Sequence, residues 1–168
     1  MFLSVVCCGR RLLEAARQRC GAPAAMFELC VTNPDKGAIA ASDIHTRVAA
    51  FAREGLPIAL TDASLFTQKA ALFQGAVFAL GYDTAARIVN PKYYSNSEAR
   101  MAAEFARLQA ARCRFAVAGR AQDGRFLTLK DIEMQGALED MDLFVEIPES
   151  EFRADISSTE LRKQSSEG

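Results

Sequence analysis

Net charge, long apolar runs and histidine are all scarce in this sequence of 168 residues. The formal net charge of −1 excludes a strongly basic nucleic-acid binder, because such proteins present a broad phosphate-attracting surface. No apolar run approaches the roughly 20 residues that cross a bilayer, so we expect no contact with a membrane. Hydrophobic residues make up 50% of the chain and charged residues 24%, which excludes a disordered tail, a collagen-like rod and a coiled coil.

Histidines and paired cysteines are also too few to favour a zinc site. His45 is the single histidine, and the five cysteines include no C-x-x-C pair. Cys30 and Cys113 lie in apolar runs, and we expect them to be buried thiols in a reducing compartment. A nucleophilic role for Cys7 or Cys8 stays open, although no histidine lies near them in sequence.

The first residues do not have the order of a secretory signal, in which charge precedes a longer apolar stretch. Residues 1–25 contain four arginines and one glutamate, which partly matches a mitochondrial presequence. We expect a cytoplasmic or nuclear protein and keep the mitochondrion as the alternative.

Short apolar runs predict strands that are covered on both faces, because they are continuous rather than alternating. Three helical patterns lie between these runs, with Ser42 and Ser97 as N-cap candidates for the second and third. The predicted strands are 2–6, 27–32, 57–62, 76–81, 114–119 and 143–148, and the predicted helices are 10–19, 42–54 and 97–112.

Alternation of strands and helices predicts an α/β fold, a Rossmann-like doubly wound and mostly parallel sheet with helices on both faces. We expect one domain over residues 1–164, with an atypical start at 1–11 and a disordered tail at 165–168. In such a sheet, ligands bind at the carboxyl ends of the strands.

Several polar residues follow the predicted strands, and each has a structural interpretation beside a functional one. Lys36 could lie in a solvated turn, Gly81 could relieve a tight strand exit, Asp83 could cap a helix, and Arg120 could be a surface charge. The alternative is that they bind a ligand at the carboxyl ends of the strands.

Near the end of the chain, Ser157, Ser158 and Thr159 open a predicted helix, and Arg162 follows about one turn later. A helix N-terminus offers free N–H groups, and hydroxyls and a guanidinium add further donors for an anion. An ordinary cap followed by a surface arginine explains the pattern equally well.

The run I-S-S-T-E-L-R at 156–162 resembles the I-S-S-T-x-[IL]-R signature of the nucleotidyltransferase superfamily, in its nicotinamide mononucleotide adenylyltransferase branch. The segment G-Y-D-T-A-A-R-I-V-N-P-K-Y-Y at 81–94 resembles a cytidylyltransferase-like subgroup close to those enzymes. The two motifs occur in the expected order, and the resemblance extends from about residue 12 to residue 162.

This resemblance implies adenylyl transfer from ATP to nicotinamide mononucleotide, which gives NAD and pyrophosphate and belongs to NAD biosynthesis. Mg²⁺ would bridge the ATP oxygens. The resemblance implies that the phosphates of ATP bind to one group of residues and that the acceptor nucleotide binds to another. The first group is Ser157, Ser158, Thr159 and Arg162, and the second is Gly81, Asp83, Lys36, Arg47 and Arg120.

The H-x-G-H motif of that family, whose histidines would be the catalytic residues, is missing from the sequence. We therefore expect a chain that is shortened or altered at its N-terminus, in which Arg10 and Arg11 are weak substitutes for the histidines. The alternatives are a nucleotide-binding remnant without catalysis, a relative that transfers cytidylyl groups or adenylates phosphopantetheine, and a domain that has lost its ligand. Small nucleotides are the expected partners, and a homo-oligomer is compatible with the resemblance.

Two charge runs remain, with six arginines in residues 99–125 and eight acids without a base in residues 131–151. We interpret them as solvated surfaces that offset each other, and keep a partner-binding patch as the alternative.

Overall fold

The protein is described by a computed structural model over residues 2–6, 9–33, 37–134 and 142–153. Within these residues the chain alternates between strands and helices. The strands are β1 Phe2–Val6, β2 Ala24–Cys30, β3 Thr32–Asn33, β4 Gly37–Ala38, β5 Ile58–Thr61, β6 Val77–Gly81, β7 Arg114–Ala118, β8 Arg120–Gln122, β9 Arg125–Leu127 and β10 Phe144–Ile147. The helices are α1 Arg10–Arg19, α2 Ala41–Arg53, α3 Phe66–Leu72, α4 Tyr82–Ile88 and α5 Glu98–Ala110, with 3₁₀ turns at Pro91–Tyr94 and Leu129–Asp131.

Six strands form one parallel sheet in the order β10-β7-β6-β1-β2-β5. Numbered by their succession along the chain, these strands have the order 3-2-1-4-5-6 of a Rossmann-type sheet. The order reverses between β1 and β6, so the topological switch point lies at the carboxyl ends of these two neighbours. This topology confirms the predicted α/β doubly wound fold.

Helices cover both faces of the sheet, which explains the continuous apolar strands. On one face, α1 packs with Phe51 of α2 over a cluster that includes Val77, Ala79 and Ala116. On the other face, α3, α4 and α5 pack over a cluster in which Phe78 and Phe115 are fully buried. Alternate residues of β6 and β7 therefore bury into two separate cores.

The six predicted strands are all confirmed, with boundaries that differ by up to three residues. The first predicted helix matches α1, and the other two match α2 and α5 to within two residues. Two short helices, α3 and α4, are not among the three predicted helical patterns, because seven residues give too few turns for a clear apolar period.

The two N-cap predictions have different outcomes. Ser97 caps α5, since its Oγ accepts a hydrogen bond from the N–H of Arg100 at 3.3 Å. Ser42 does not cap α2, because the helix begins one residue earlier, at Ala41, and Ser42 lies inside its first turn. The carbonyl oxygen of Ser42 instead accepts a hydrogen bond from Thr46 Oγ1 at 2.9 Å.

The structure also tests the remaining expectations about burial and charge. Cys113 is buried, whereas Cys30 is only half-buried, because β2 approaches the rim of the sheet there. Acids of the 131–151 run pair with arginines of the 99–125 run, at Arg114–Asp142 and Arg125–Asp131. These pairs support the interpretation of the two runs as offsetting surfaces. No helix in the described part of the chain is long and apolar enough to cross a bilayer.

Candidate functional site

Asp83 lies two residues after the end of the buried strand β6. The strand ends at Gly81, whose extended backbone (φ −82°, ψ 160°) forms the N-cap of α4, and Asp83 lies in the first turn of that helix. Its side chain is 53% exposed. The structural interpretation of Asp83 as the cap of this helix is wrong, because Gly81 occupies the N-cap position, and the Asp83 carboxylate has a different partner.

That partner is Arg120, which follows the neighbouring strand β7. Strands β6 and β7 run parallel in register, with Gly81 opposite Ala118, so the residues after both strands emerge at the same edge of the sheet. Arg120 Nη1 donates a hydrogen bond to Asp83 Oδ2, and the two side chains form an ion pair. The structure thus brings together Gly81, Asp83 and Arg120, three of the residues selected from the sequence.

Arg120 begins a hairpin in which β8 pairs with β9 in antiparallel orientation. The turn consists of Asp123 and Gly124, both with positive φ (50° and 77°), as the tight turn of a two-residue hairpin requires. After the hairpin, Asp131 accepts hydrogen bonds from Thr128 N at 2.8 Å and pairs with Arg125. The backbone hydrogen bond from Thr128, together with the Arg125 charge, holds the pKa of Asp131 below its usual value.

Tyr82, between Gly81 and Asp83, ties α4 to the same region. Its half-buried ring packs against the core on the α4 face, and its hydroxyl donates a long hydrogen bond of 3.4 Å to the carbonyl oxygen of Asp131. The tyrosine therefore joins the helix to the 3₁₀ turn after the hairpin.

Arg47 is not brought to the Asp83–Arg120 pair. It lies exposed in the middle of α2, which packs through Phe51 against Phe27 of β2, on the other half of the sheet. His45 is exposed on the same helix, and Arg10 is exposed at the start of α1. Five other selected residues, and the two adjacent cysteines, lie outside the described residues: Lys36, Ser157, Ser158, Thr159 and Arg162, with Cys7 and Cys8.

A buried polar cluster lies on β2, β5 and α3, and none of its residues was predicted from the sequence to be functional. Glu28 Oε1 accepts a hydrogen bond from Lys69 Nζ at 2.6 Å and another from Thr61 Oγ1. The side chains of Glu28 and Lys69 are 0% and 3% exposed, and among the described residues Glu28 Oε2 has no hydrogen-bond partner. A glutamate inside the apolar run F-E-L-C-V was the signal that could have revealed this cluster.

Within the described ranges, no three side chains of histidine, cysteine, aspartate or glutamate converge as a metal site. Magnesium held by ATP phosphates needs few protein ligands, so the magnesium expectation depends on the nucleotide. At the carboxyl edge the exposed Asp83 could accept hydrogen bonds from hydroxyl or amide donors, and Arg120 could donate to phosphate oxygens.

A scan against protein-family models finds no match, and a search of curated proteins finds no similar sequence.

Proposed function

We propose that this chain is a nucleotidyltransferase that transfers an adenylyl group from ATP to nicotinamide mononucleotide. One observation carries the proposal: the Asp83–Arg120 pair lies at the carboxyl edge of a parallel sheet with 3-2-1-4-5-6 order. Nucleotides bind at this edge in folds of this topology. The two motifs that resemble the nucleotidyltransferase superfamily indicate the reaction type. The segment at 81–94 contains Asp83 itself.

The two side chains suit two neighbouring groups of a mononucleotide, the phosphate and the ribose. Arg120 carries a planar fork of donors that matches phosphate oxygens, and Asp83 is an acceptor for ribose hydroxyls. Asp83 and Arg120 bond to each other, so the carboxylate acceptor and the guanidinium donors lie side by side. In-line attack of the acceptor phosphate on the α-phosphorus of ATP depends mainly on such positioning and on neutralisation of phosphate charge. Bound Mg²⁺–ATP would supply the adenylyl group, and pyrophosphate would leave as the new phosphate bond forms.

The test is a coupled assay in which the chain is incubated with ATP, Mg²⁺ and nicotinamide mononucleotide, and dinucleotide formation is followed. Arg120→Ala removes the phosphate donor and leaves the Asp83 carboxylate unneutralised, so we expect at least a tenfold loss of affinity for nicotinamide mononucleotide. Asp83→Asn retains the arginine, so the loss should be smaller.

A matched control is Arg107→Ala, because Arg107 forms an exposed ion pair with Glu104 on α5, away from this edge. This variant should bind and react like the unchanged chain. Equal affinity in Arg120→Ala and Arg107→Ala would overturn the proposed site.

A second candidate function is nucleotide binding without catalysis. It is favoured by the position of His45, the single histidine, which lies exposed on α2 rather than at a strand–helix junction. One preorganised transition-state donor contributes about 10²–10³ in rate, so the loss of two histidines can abolish useful turnover while binding persists.

Binding and turnover separate the two candidates. Turnover near 1 s⁻¹ or above supports the enzyme, because that is the lower range of ordinary enzymes. Nucleotide binding by calorimetry without turnover supports the second candidate. Arg162→Ala should weaken ATP binding in both cases.

A further inference from the structure

Gly119 joins β7 to Arg120 at a point where the chain has no room for a side chain. A methyl group at Gly119 would lie 2.5 Å from Cε1 and 2.9 Å from Cζ of the Phe126 ring, and closer still to the carbonyl oxygen of Leu127. Carbon atoms in contact lie about 3.5–4.0 Å apart, so a larger residue would push the hairpin away.

Lack of space for a side chain, and not the backbone conformation, explains why residue 119 is a glycine. Gly21, Gly55, Gly75 and Gly124 have positive φ and open space around them, which is the usual reason for glycine in a turn. Gly119 has no positive φ, and its surroundings are filled. The close approach of β9 is therefore the feature that requires glycine here.

The Phe126 ring that covers Gly119 is itself held in place. Phe126 lies opposite Ala121 in the hairpin, and the guanidinium carbon of Arg153 lies 5.9 Å from the centre of the ring. A guanidinium over an aromatic face at this distance attracts it electrostatically. The hairpin thus folds back onto the exit of β7, where the Phe126 ring and the carbonyl oxygen of Leu127 both lie against Gly119.

We propose that the contact of Phe126 on Gly119 is a positioning device that directs Arg120 toward Asp83. Arg120 follows Gly119 immediately and begins β8, so a displacement of the hairpin moves its Cα and turns its side chain. The ion pair between the partly exposed Arg120 and Asp83 is too weak to draw the hairpin back, because solvent screens its attraction. The ligand part of this inference rests on the proposed function, and the geometric part does not.

The first test is Gly119→Ala, with the nitrogen-15 NMR signal of the Arg120 guanidinium, whose Nη1 is the donor to Asp83, as readout. The signal is assigned by its loss in Arg120→Lys. In the unchanged chain it should shift when Asp83→Asn is introduced, and in Gly119→Ala it should not. A merely structural role would lower the melting temperature and leave that response intact.

The second readout is affinity for nicotinamide mononucleotide. Gly119→Ala should weaken binding about as much as Arg120→Ala, and the double variant should be no weaker than Arg120→Ala alone, because both changes remove the same contact. Additive losses would overturn the inference. If Arg120→Ala binds as well as the unchanged chain, the proposed function fails, and the NMR response alone then decides the positioning role.

Phe126→Leu tests the same contact if Gly119→Ala does not fold. It removes the ring without adding volume, and it should reduce the response of the Arg120 signal to Asp83→Asn at least twofold. Phe51→Leu, a half-buried phenylalanine of α2, is the control and should leave the response unchanged. An unchanged response in Phe126→Leu would overturn the proposal.

Discussion

The two halves of the sheet differ sharply in how well they are buried. In the half that contains β6 and β7, residues 77–80 and 115–118 are all at most 1% exposed. In the half that contains β2 and β5, only two residues of β2 and one of β5 are buried, and α2 buries none. The edge strand β5 exposes Leu60 to 49%.

This difference matches the distribution of the candidate site. Asp83 and Arg120 follow β6 and β7, the most buried of the strands whose side chains the structure describes, whereas Arg47 lies on α2, which has no buried residue. Side chains that extend from rigid elements keep their orientation better than side chains on loosely packed ones. The buried half therefore provides a firm support for a site, and the other half does not.

Removal of one core phenylalanine ring from each half gives the largest expected difference in the free energy of unfolding. The Phe115 ring is fully buried and contacts the rings of Phe66, Phe78, Phe105 and Phe144. Phe115→Ala should lower the free energy of unfolding by about 3–5 kcal/mol. Phe51→Ala, which removes a half-buried ring, should cost about half of that or less. Urea denaturation measures both, and equal losses would contradict the comparison.

The buried ion pair that joins β2 of the looser half to α3 gives the next largest expected loss of stability. Lys69→Met leaves Glu28 as a buried charge without its cation, so we expect a loss of about 3–5 kcal/mol in the free energy of unfolding. The double variant Glu28→Gln with Lys69→Met removes both charges and keeps an acceptor for Thr61 Oγ1. It should recover more than half of the loss, again by urea denaturation. A double variant as unstable as Lys69→Met would show that the charge itself is not the cause.

The sequence predicts the fold well because parallel strands buried on both faces leave an unambiguous pattern of apolar runs. It also selects Asp83 and Arg120, since both directly follow such runs. It does not predict that they pair, because strand order decides which strand ends are neighbours. Glu28 and Lys69 are 41 residues apart, and their contact depends on how α3 crosses β2. The space requirement at Gly119 likewise depends on the hairpin that folds over it.

The N-caps of α5 and α2 give a smaller expected difference in stability between the two halves. Ser97→Ala removes the hydrogen bond to the N–H of Arg100 and should cost about 0.5–2 kcal/mol of stability. Ser42→Ala removes no capping bond from α2 and should change stability by less than about 0.5 kcal/mol. Thermal unfolding of the two variants measures the difference. A larger loss of stability in Ser42→Ala than in Ser97→Ala would contradict the absence of a capping bond at Ser42.

The smallest effect concerns Tyr94, in the well-buried half. Its hydroxyl donates a hydrogen bond of 2.8 Å to the carbonyl oxygen of Ile88, so Tyr94→Phe should cost about 0.5–1.5 kcal/mol near neutral pH. Burial, with the nearby Glu104 carboxylate, raises the pKa of Tyr94 to about 12.

Because the folded state favours the protonated tyrosine, Tyr94 contributes stability that is fully present below the unfolded pKa near 10. That contribution is lost as the pH rises from about 10 toward 12. The unchanged chain should therefore lose more stability over this interval than Tyr94→Phe, as measured by urea denaturation at fixed pH values. Parallel losses in the two proteins would mean that Tyr94 titrates alike in the folded and unfolded chain. The tight packing of this half would then not extend to its 3₁₀ turn.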